Sequence, residues 1–330
     1  MNTSDYWVTI AVPFYNVEDY IERCARSLFE QTYQNIAFLF VDDGSSDRSK
    51  EVLQTIIKDY PQREPHVHIY SFLENKGLCV VRNFLVDNCQ TEWIIYMDSD
   101  DWIETDLVEA LVKKQKATGA DMVVSGAVYH RKEGDFSERN YDSDQKEDYL
   151  RLVISNWRWT ALWGRLIRLS LYTDHQLRLS EENGNAEDLR LIVPLTYYSN
   201  RIVWVRENGY HHDNRREGKY TEMRPNSIHK LGTEILGSLS ETRSFVEEKM
   251  KEYLELYDTT RCMAVYEGYL TLSLLYGDRE LYQLMRNHHQ GVVRRYPSIH
   301  GSIGERLKRL LKYNYWIARI LIRIKFSLVS

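Results

Sequence analysis

Several familiar signals are missing from this 330-residue chain. No run of 18 apolar residues occurs, so no segment reads as a membrane span. The N-terminal stretch MNTSDYWVTIAVPFYN lacks the basic region, long apolar core and small-residue cleavage site of a secretory signal, so the chain is expected to stay in the cytoplasm. Its four cysteines, Cys24, Cys79, Cys89 and Cys262, lie far apart without metal-ligand spacing and are expected to be reduced and buried. Neither a P-loop nor a GxGxxG pattern follows the first apolar strand, which removes support for NTPase, kinase and dinucleotide-binding readings. With a net charge of −5 the chain is not expected to have a nucleic-acid partner.

What is present organises itself around TEWIIYMDSDDW. The apolar run Trp93 to Met97 has the length and the aromatic and β-branched content of a buried strand, and it ends in Asp98, Ser99, Asp100 and Asp101. Carboxylates crowded at a strand end repel one another, and a divalent cation relieves the repulsion; hard ions such as Mg²⁺ and Mn²⁺ take oxygen ligands and bridge phosphates. Asp98 and Asp100 are the candidate metal ligands. The competing reading is a solvated acidic turn capping a helix that begins near Glu104. An EF-hand is excluded by Trp102 and Ile103, where Asp or Asn and then Gly would be needed.

Three earlier strands repeat the theme. Tyr6 to Val12, stopped by Pro13, leads into Phe14, Tyr15 and Asn16; Ile36 to Val41 leads into Asp42, Asp43 and Gly44; Val67 to Leu73 leads into Glu74, Asn75, Lys76 and Gly77. Helical patterns separate them (Ile21, Cys24, Ala25, Leu28; then Val52, Leu53, Ile56, Ile57, Tyr60). Alternating strands and helices predict a doubly wound, mostly parallel α/β sheet, in which the four polar clusters meet along the carboxyl edge where ligands bind. Tyr15 is placed to stack on a base, and Asp42 and Asp43 to accept from a base N–H or a ribose hydroxyl. The combination describes a pocket for a nucleoside diphosphate.

Further along, a helix Asp106 to Ala117 stopped by Gly119 and a strand Asp121 to Val128 precede a polar excursion, Tyr129 to Asp148, and an aromatic patch of Trp157, Trp159 and Trp163. The patch is read as core packing or as a sugar-stacking surface. Glu187 and Asp188 open an amphipathic run that Pro194 should bend or shorten. Beyond Asn226 the pattern turns to long helices, so residues 1–225 read as a catalytic domain and 226–330 as an appended helical subdomain.

The series VPFYN, VDDGSSD, NKGLCVVRN and YMDSDDW, in this order, resembles the family 2 glycosyltransferases of GT-A fold. The resemblance implies that Pro13, Tyr15, Asp42 and Asp43 hold the nucleotide, usually uridine, that Asp98 and Asp100 hold the ribose and a Mn²⁺ or Mg²⁺ ion on the diphosphate, and that Arg82 lies close to that diphosphate. Val81 stands where many relatives have Ala. The family's Glu-Asp pair is similar to Glu187 and Asp188, with Leu191 in place of an aromatic residue, and implies Asp188 as the general base. The QxxRW motif of processive members is absent. The expectation is an inverting, metal-dependent enzyme that moves one sugar per encounter from a UDP-sugar to a glycan or lipid-linked acceptor in bacterial surface-polysaccharide synthesis. A sugar-phosphate nucleotidyltransferase would need a Gly- and Arg-rich loop where PFYNVEDY stands; a non-catalytic GT-A-like binding or assembly partner is the alternative outside enzymes.

His211 and His212 are read either as groups reaching the metal or diphosphate, or as surface or core histidines. From Ser302 to Ser330 seven Lys or Arg stand against one Glu, a local net of +6 that leaves −11 on the remainder. In Glu305 to Ser330, Lys308, Lys312, Arg319 and Arg323 fall on one stripe opposite Leu310, Ile317, Leu321 and Ile324. That helix suits the surface of an anionic membrane, or a homo-oligomer or domain contact.

Overall fold

The computed structural model describes residues 8–137, 143, 145–181, 184, 186–215, 225–296, 315 and 319. The chain divides into two compact units: Met1–Leu150 with Ala161–Gly184 and Leu191–Arg216, and Arg151–Thr160 with Asn185–Arg190 and Glu217–Ser330.

In the first unit the strands are β1 (Val8–Phe14), β2 (Ile36–Asp42), β3 (Val67–Ser71), β4 (Trp93–Tyr96), β5 (Trp102–Ile103), β6 (Met122–His130), β7 (Phe136–Ser137), β8 (Arg165–Arg168) and β9 (Ile202–Asp213). They form one sheet in the order β3-β2-β1-β4-β8-β6-β9-β5, with β7 paired to β6. The first four strands are parallel, as their alternation with helices α1 (Ile21–Phe29), α2 (Ser49–Asp59) and α3 (Leu78–Asn88) requires. The other half is mixed. β8 runs antiparallel to β4 and β6, β5 antiparallel to β9, and β6 and β9 parallel. Every residue of β1 is buried, as befits a central strand covered on both faces.

Two prolines behave differently from the sequence expectation. Pro13 does not end its strand: it pairs in register with Val41, two residues beyond Ala11, the last β1 residue matched to β4. One side of the strand is already open there, so an absent N–H disturbs little. Pro194 does not shorten its helix, which runs unbroken from Glu187 to Tyr198 (α7). The flanking Leu191, Ile192, Val193 and Leu195 are all buried, and at about 1.5–3 kcal/mol per buried aliphatic side chain they outweigh the roughly 3 kcal/mol cost of an interior proline.

Helix α4 (Leu107–Thr118) ends at Gly119, whose φ of 66° supplies the left-handed cap. It starts three residues after Glu104, and its N-cap Asp106 makes no side-chain capping bond, so the acidic run before it does not serve as a cap. The expected excursion Tyr129 to Asp148 is partly regular: Tyr129 and His130 finish β6, β7 pairs back onto it, and α5 (Lys146–Ser155) begins within it. Residues 138–142 and 144 lie outside the described set. A short helix, α6 (Ser170–Asp174), follows β8. The four cysteines are buried and none is in a disulfide.

The second unit is helical beyond residue 225: α8 (Pro225–Lys249), a short turn α9 (Leu254–Leu256), a π-helical segment Tyr257–Cys262, α10 (Met263–Tyr276) and α11 (Arg279–Arg295). Leu239, Met263, Tyr266, Leu270 and Leu274 are buried among these helices. Among the described residues no helix is long and apolar enough to cross a membrane. The basic stripe read in Glu305 to Ser330 lies outside the described residues, Arg319 excepted.

Candidate active site

Parallel register brings the polar strand ends side by side. Phe14 of β1 is level with Asp42 of β2, which is level with Ser71 of β3, and Ala11 of β1 is level with Tyr96 of β4. The loops after Phe14, Asp42, Ser71 and Tyr96 therefore leave the same edge of the sheet, as the alternation of strands and helices predicted.

The loops after β1 and β2 are laced together. Asn16, whose φ of 50° is a conformation that Asn tolerates well, accepts the N–H of Ser46 at 2.9 Å on its side-chain oxygen. Its own N–H donates to Ser45 Oγ at 3.1 Å, and Val17 N–H donates to Ser49 Oγ at 2.7 Å. Tyr15 stands out from this lacing with 44% of its surface exposed, free to offer a ring face.

Asp42 and Asp43 are both buried, and both have structural duties. Asp42 accepts the N–H of Ser45 at 2.9 Å. Asp43 accepts the backbone N–H groups of Lys76 and Gly77, at 2.7 and 3.0 Å, and so ties the loop after β3 to β2. Burial raises the Asp43 pKa above the usual carboxylate value, with the two amides pulling the other way and Asp42 adding to the rise. Gly44 is required directly after them: its φ is 73°, and a Cβ would lie 2.6 Å from the carbonyl carbon of Glu74.

At the end of β4 the acidic run separates by role. Asp98 keeps 32% of its side chain exposed, and Arg82, only 3% exposed on α3, brings a guanidinium nitrogen to 3.9 Å from Asp98 Oδ1. Arg82 thus sits beside the first carboxylate. Asp100 is partly exposed, and its carbonyl accepts from Arg23 at 2.8 Å. Asp101 has no exposure at all and turns towards β9. The concentrated negative charge is felt nearby. Burial, followed by Asp101, Asp100 and Asp98, pushes the Cys24 thiol well above its ordinary value, so it stays protonated beside the Asp98 carbonyl.

Strand alternation splits the histidine pair. His212 lies 3.0 Å from Asp101 Oδ2. Burial disfavours its charge, but the bond to Asp101 and the charges of Asp101, Asp98 and Asp100 prevail, pushing its pKa up to about 9. His211 faces the other way, bonding Glu104 at 2.8 Å and His130 at 3.0 Å and stacking on Trp102. Trp163 stacks on Tyr210 at 4.2 Å and lies against His212, so packing claims it beside the acidic run.

Among the described residues no group of three or more His, Cys, Asp or Glu is gathered closely enough to hold a metal ion alone. Two partly exposed carboxylates, Asp98 and Asp100, are present. That donor set suits Mg²⁺ or Mn²⁺, which favour one or two carboxylates with water and substrate phosphate oxygens completing the shell. Asp188, in the first turn of α7, belongs to the second unit. Asp101 was read only as part of the acidic run, with no separate role, and Arg23, Tyr210 and Asp213 carried no sequence signal beyond the adjacency of Tyr210 to the histidines.

Residues 9–176 match the family described as Glycosyl transferase family 2. The chain is 29% identical over 287 residues to glycosyltransferase GlyA of Streptococcus pneumoniae serotype 4, covering 82% of this chain and 38% of that protein. It is 26% identical over 306 residues to the putative glycosyltransferase EpsH of Bacillus subtilis, covering 90% and 86%. Among solved structures, S. aureus TarS 1–349 in complex with UDP-GlcNAc aligns with a TM-score of 0.55 at 17% identity, over 87% of this chain and 89% of that one. Mannosyltransferase PcManGT from Pyrobaculum calidifontis, in complex with GDP-Man and Mn²⁺, aligns at 0.54 and 13% identity, over 95% and 86%. At such identities the structures speak for the fold, a GT-A fold in TarS.

Proposed function

The chain belongs to glycosyl transferase family 2 and is a glycosyltransferase, and from that premise we propose an inverting, non-processive, divalent-cation-dependent enzyme that moves a sugar from a UDP-sugar to an acceptor hydroxyl on a bacterial surface glycan. The observation that carries the reading is the pairing of Asp98 with buried Arg82 at the carboxyl end of β4, on the sheet edge that also carries Tyr15, Asp42 and Asp43. Residues 1–225 act as the catalytic domain and 226–330 as a helical subdomain.

Tyr15 and Pro13 flank the base, and Asp42 with Asp43 shapes the floor beneath it. Asp98 and Asp100 hold the cation, whose charge when bound offsets that of the departing diphosphate. Arg82 adds a second positive group at the same place, fixed in advance by burial, which is where electrostatic stabilisation is strongest. Asp188 takes the acceptor hydroxyl proton as the new bond to the anomeric carbon forms and the bond to the diphosphate oxygen breaks. Attack from the face opposite the leaving group inverts the anomeric centre.

The test is UDP binding by calorimetry with and without Mn²⁺, followed by turnover of a panel of UDP-sugars read by mass spectrometry. Asp188→Asn is expected to bind UDP as the parent does while turnover falls about 10²–10⁴-fold. Undiminished turnover would remove Asp188 as base, and absence of any UDP-sugar hydrolysis in the parent would favour a binding module.

A further inference from the structure

Asp101 is the one member of the acidic run that solvent does not touch, and β9 holds its carboxylate on both oxygens. The Tyr210 hydroxyl donates to Oδ2 at 2.7 Å, His212 Nδ1 lies 3.0 Å from the same oxygen, and the backbone N–H of Asp213 donates to Oδ1 at 2.8 Å. The Tyr210 oxygen also accepts the backbone N–H of Asp98 at 3.3 Å. A single phenolic oxygen therefore joins both ends of the stretch Asp98 to Asp101.

That oxygen has little freedom to move. The Tyr210 ring is fully buried, Trp163 stacks on it at 4.2 Å with planes 10° apart, and Gly164 lies so close that a Cβ would touch the ring at 3.5 Å. On the opposite face of β9, Arg23 donates to the Asp100 carbonyl and to Asp213 Oδ2, each at 2.8 Å. The loop is thus fixed at Asp98, Asp100 and Asp101, while the carboxylates of Asp98 and Asp100 retain exposure.

We infer that Tyr210 is a positioning residue for the divalent-cation site: its hydroxyl sets the Asp98 backbone and, through Asp101, the direction in which Asp98 and Asp100 present their carboxylates. The inference rests on the reading of those two residues as cation ligands. Partners one bond removed from a metal ligand orient it, and losing one costs about 10–100-fold in metal affinity.

Tyr210→Phe keeps the ring and its stacking and removes one oxygen atom. UDP binding to the full chain is measured by calorimetry in EDTA and across a Mn²⁺ titration, alongside Val123→Ala, a core truncation that supplies loss of stability remote from the loop. For Tyr210→Phe the half-saturating Mn²⁺ concentration is expected to rise about tenfold with UDP affinity in EDTA unchanged, and for Val123→Ala to stay at the parent value. An unaltered Mn²⁺ dependence in Tyr210→Phe, or an equal rise in Val123→Ala, overturns the inference while leaving the cation reading intact. A parent protein indifferent to Mn²⁺ overturns the cation reading itself, and the inference with it.

Discussion

Asp101 and Asp258 are both shut off from solvent, and they are held by opposite means. Around Asp101, in the first unit, the donors are a phenol, an imidazole and a backbone N–H. Around Asp258, in the π-helical segment of the second unit, Arg243 donates at 2.9 and 3.1 Å, Arg295 at 2.6 Å and the Tyr296 hydroxyl at 3.3 Å. Two guanidinium groups share that one carboxylate, so Asp258 ties helices together, and, after burial, its charge still helps to raise the Cys262 thiol and the Tyr266 and Tyr296 hydroxyls above their ordinary values. Asp101 meets a full positive charge only when His212 binds a proton, so its field reaches its neighbours, His212 and Cys24 among them. Both buried carboxylates shape local charge; Asp258 is balanced by permanent cations, Asp101 by an imidazolium that a rise in pH removes.

Breaking the comparison at Asp258 should have the largest effect on folding. Asp258→Ala leaves two guanidinium groups without their shared partner, and breaking a buried pair in this way costs about 3–5 kcal/mol. The low end is expected, because Arg243 keeps Glu247 at 2.8 Å and Arg295 is partly exposed. Urea denaturation measures the loss, and Mn²⁺-dependent UDP binding well below the new transition should match the parent.

Asp101→Asn is expected to cost less stability, about 1–3 kcal/mol, since the amide fills the same space but turns a donor towards donors. Here the half-saturating Mn²⁺ concentration should change as well. A variant less stable than Asp258→Ala with unchanged Mn²⁺ dependence would reverse the contrast between the two sites.

The third effect is one of pH. Because the folded-state pKa of His212 is raised from 6.5 to about 9, its contribution to stability is complete below about pH 6.5 and fades as pH climbs towards 9. In cation-free buffer the urea midpoint of the parent should fall across that interval relative to His212→Gln, the two curves converging above it. Parallel curves would show that the Asp101–His212 pair carries no linked proton.

The strand ends were legible in the sequence because the evidence for them is local. An apolar run followed within a few residues by Asp, Asn or Gly announces a buried strand and its loop, and four such runs separated by helical periodicity dictate a parallel half-sheet. Asp98 and Asp100 were marked as candidates that way, whereas Arg82 came from the family resemblance alone. The role of Asp101 was not, because Tyr210, His212 and Asp213 lie 109 to 112 residues away and no spacing rule spans that distance. The mixed half of the sheet escaped for the same reason, its pairings, β6 with β7 apart, joining strands that are not successive in the chain. Asp258 was hidden differently: a π-helical turn does not follow the 3.6-residue period by which buried helix positions are recognised.

The tie between Asp43 and the amides of Lys76 and Gly77, with Gly44 pressed against Glu74, bears on the timing of ligand capture. Ordering a loop around an incoming ligand adds roughly 0.5–1.5 kcal/mol for each flexible side chain that is immobilised, and it inserts a slow step between collision and binding. Here the ends of β2 and β3 are already stitched backbone to side chain, so the floor of the proposed nucleotide pocket would meet its ligand as a finished surface. Encounter rate and orientation, rather than loop folding, then set how fast that half of the site fills.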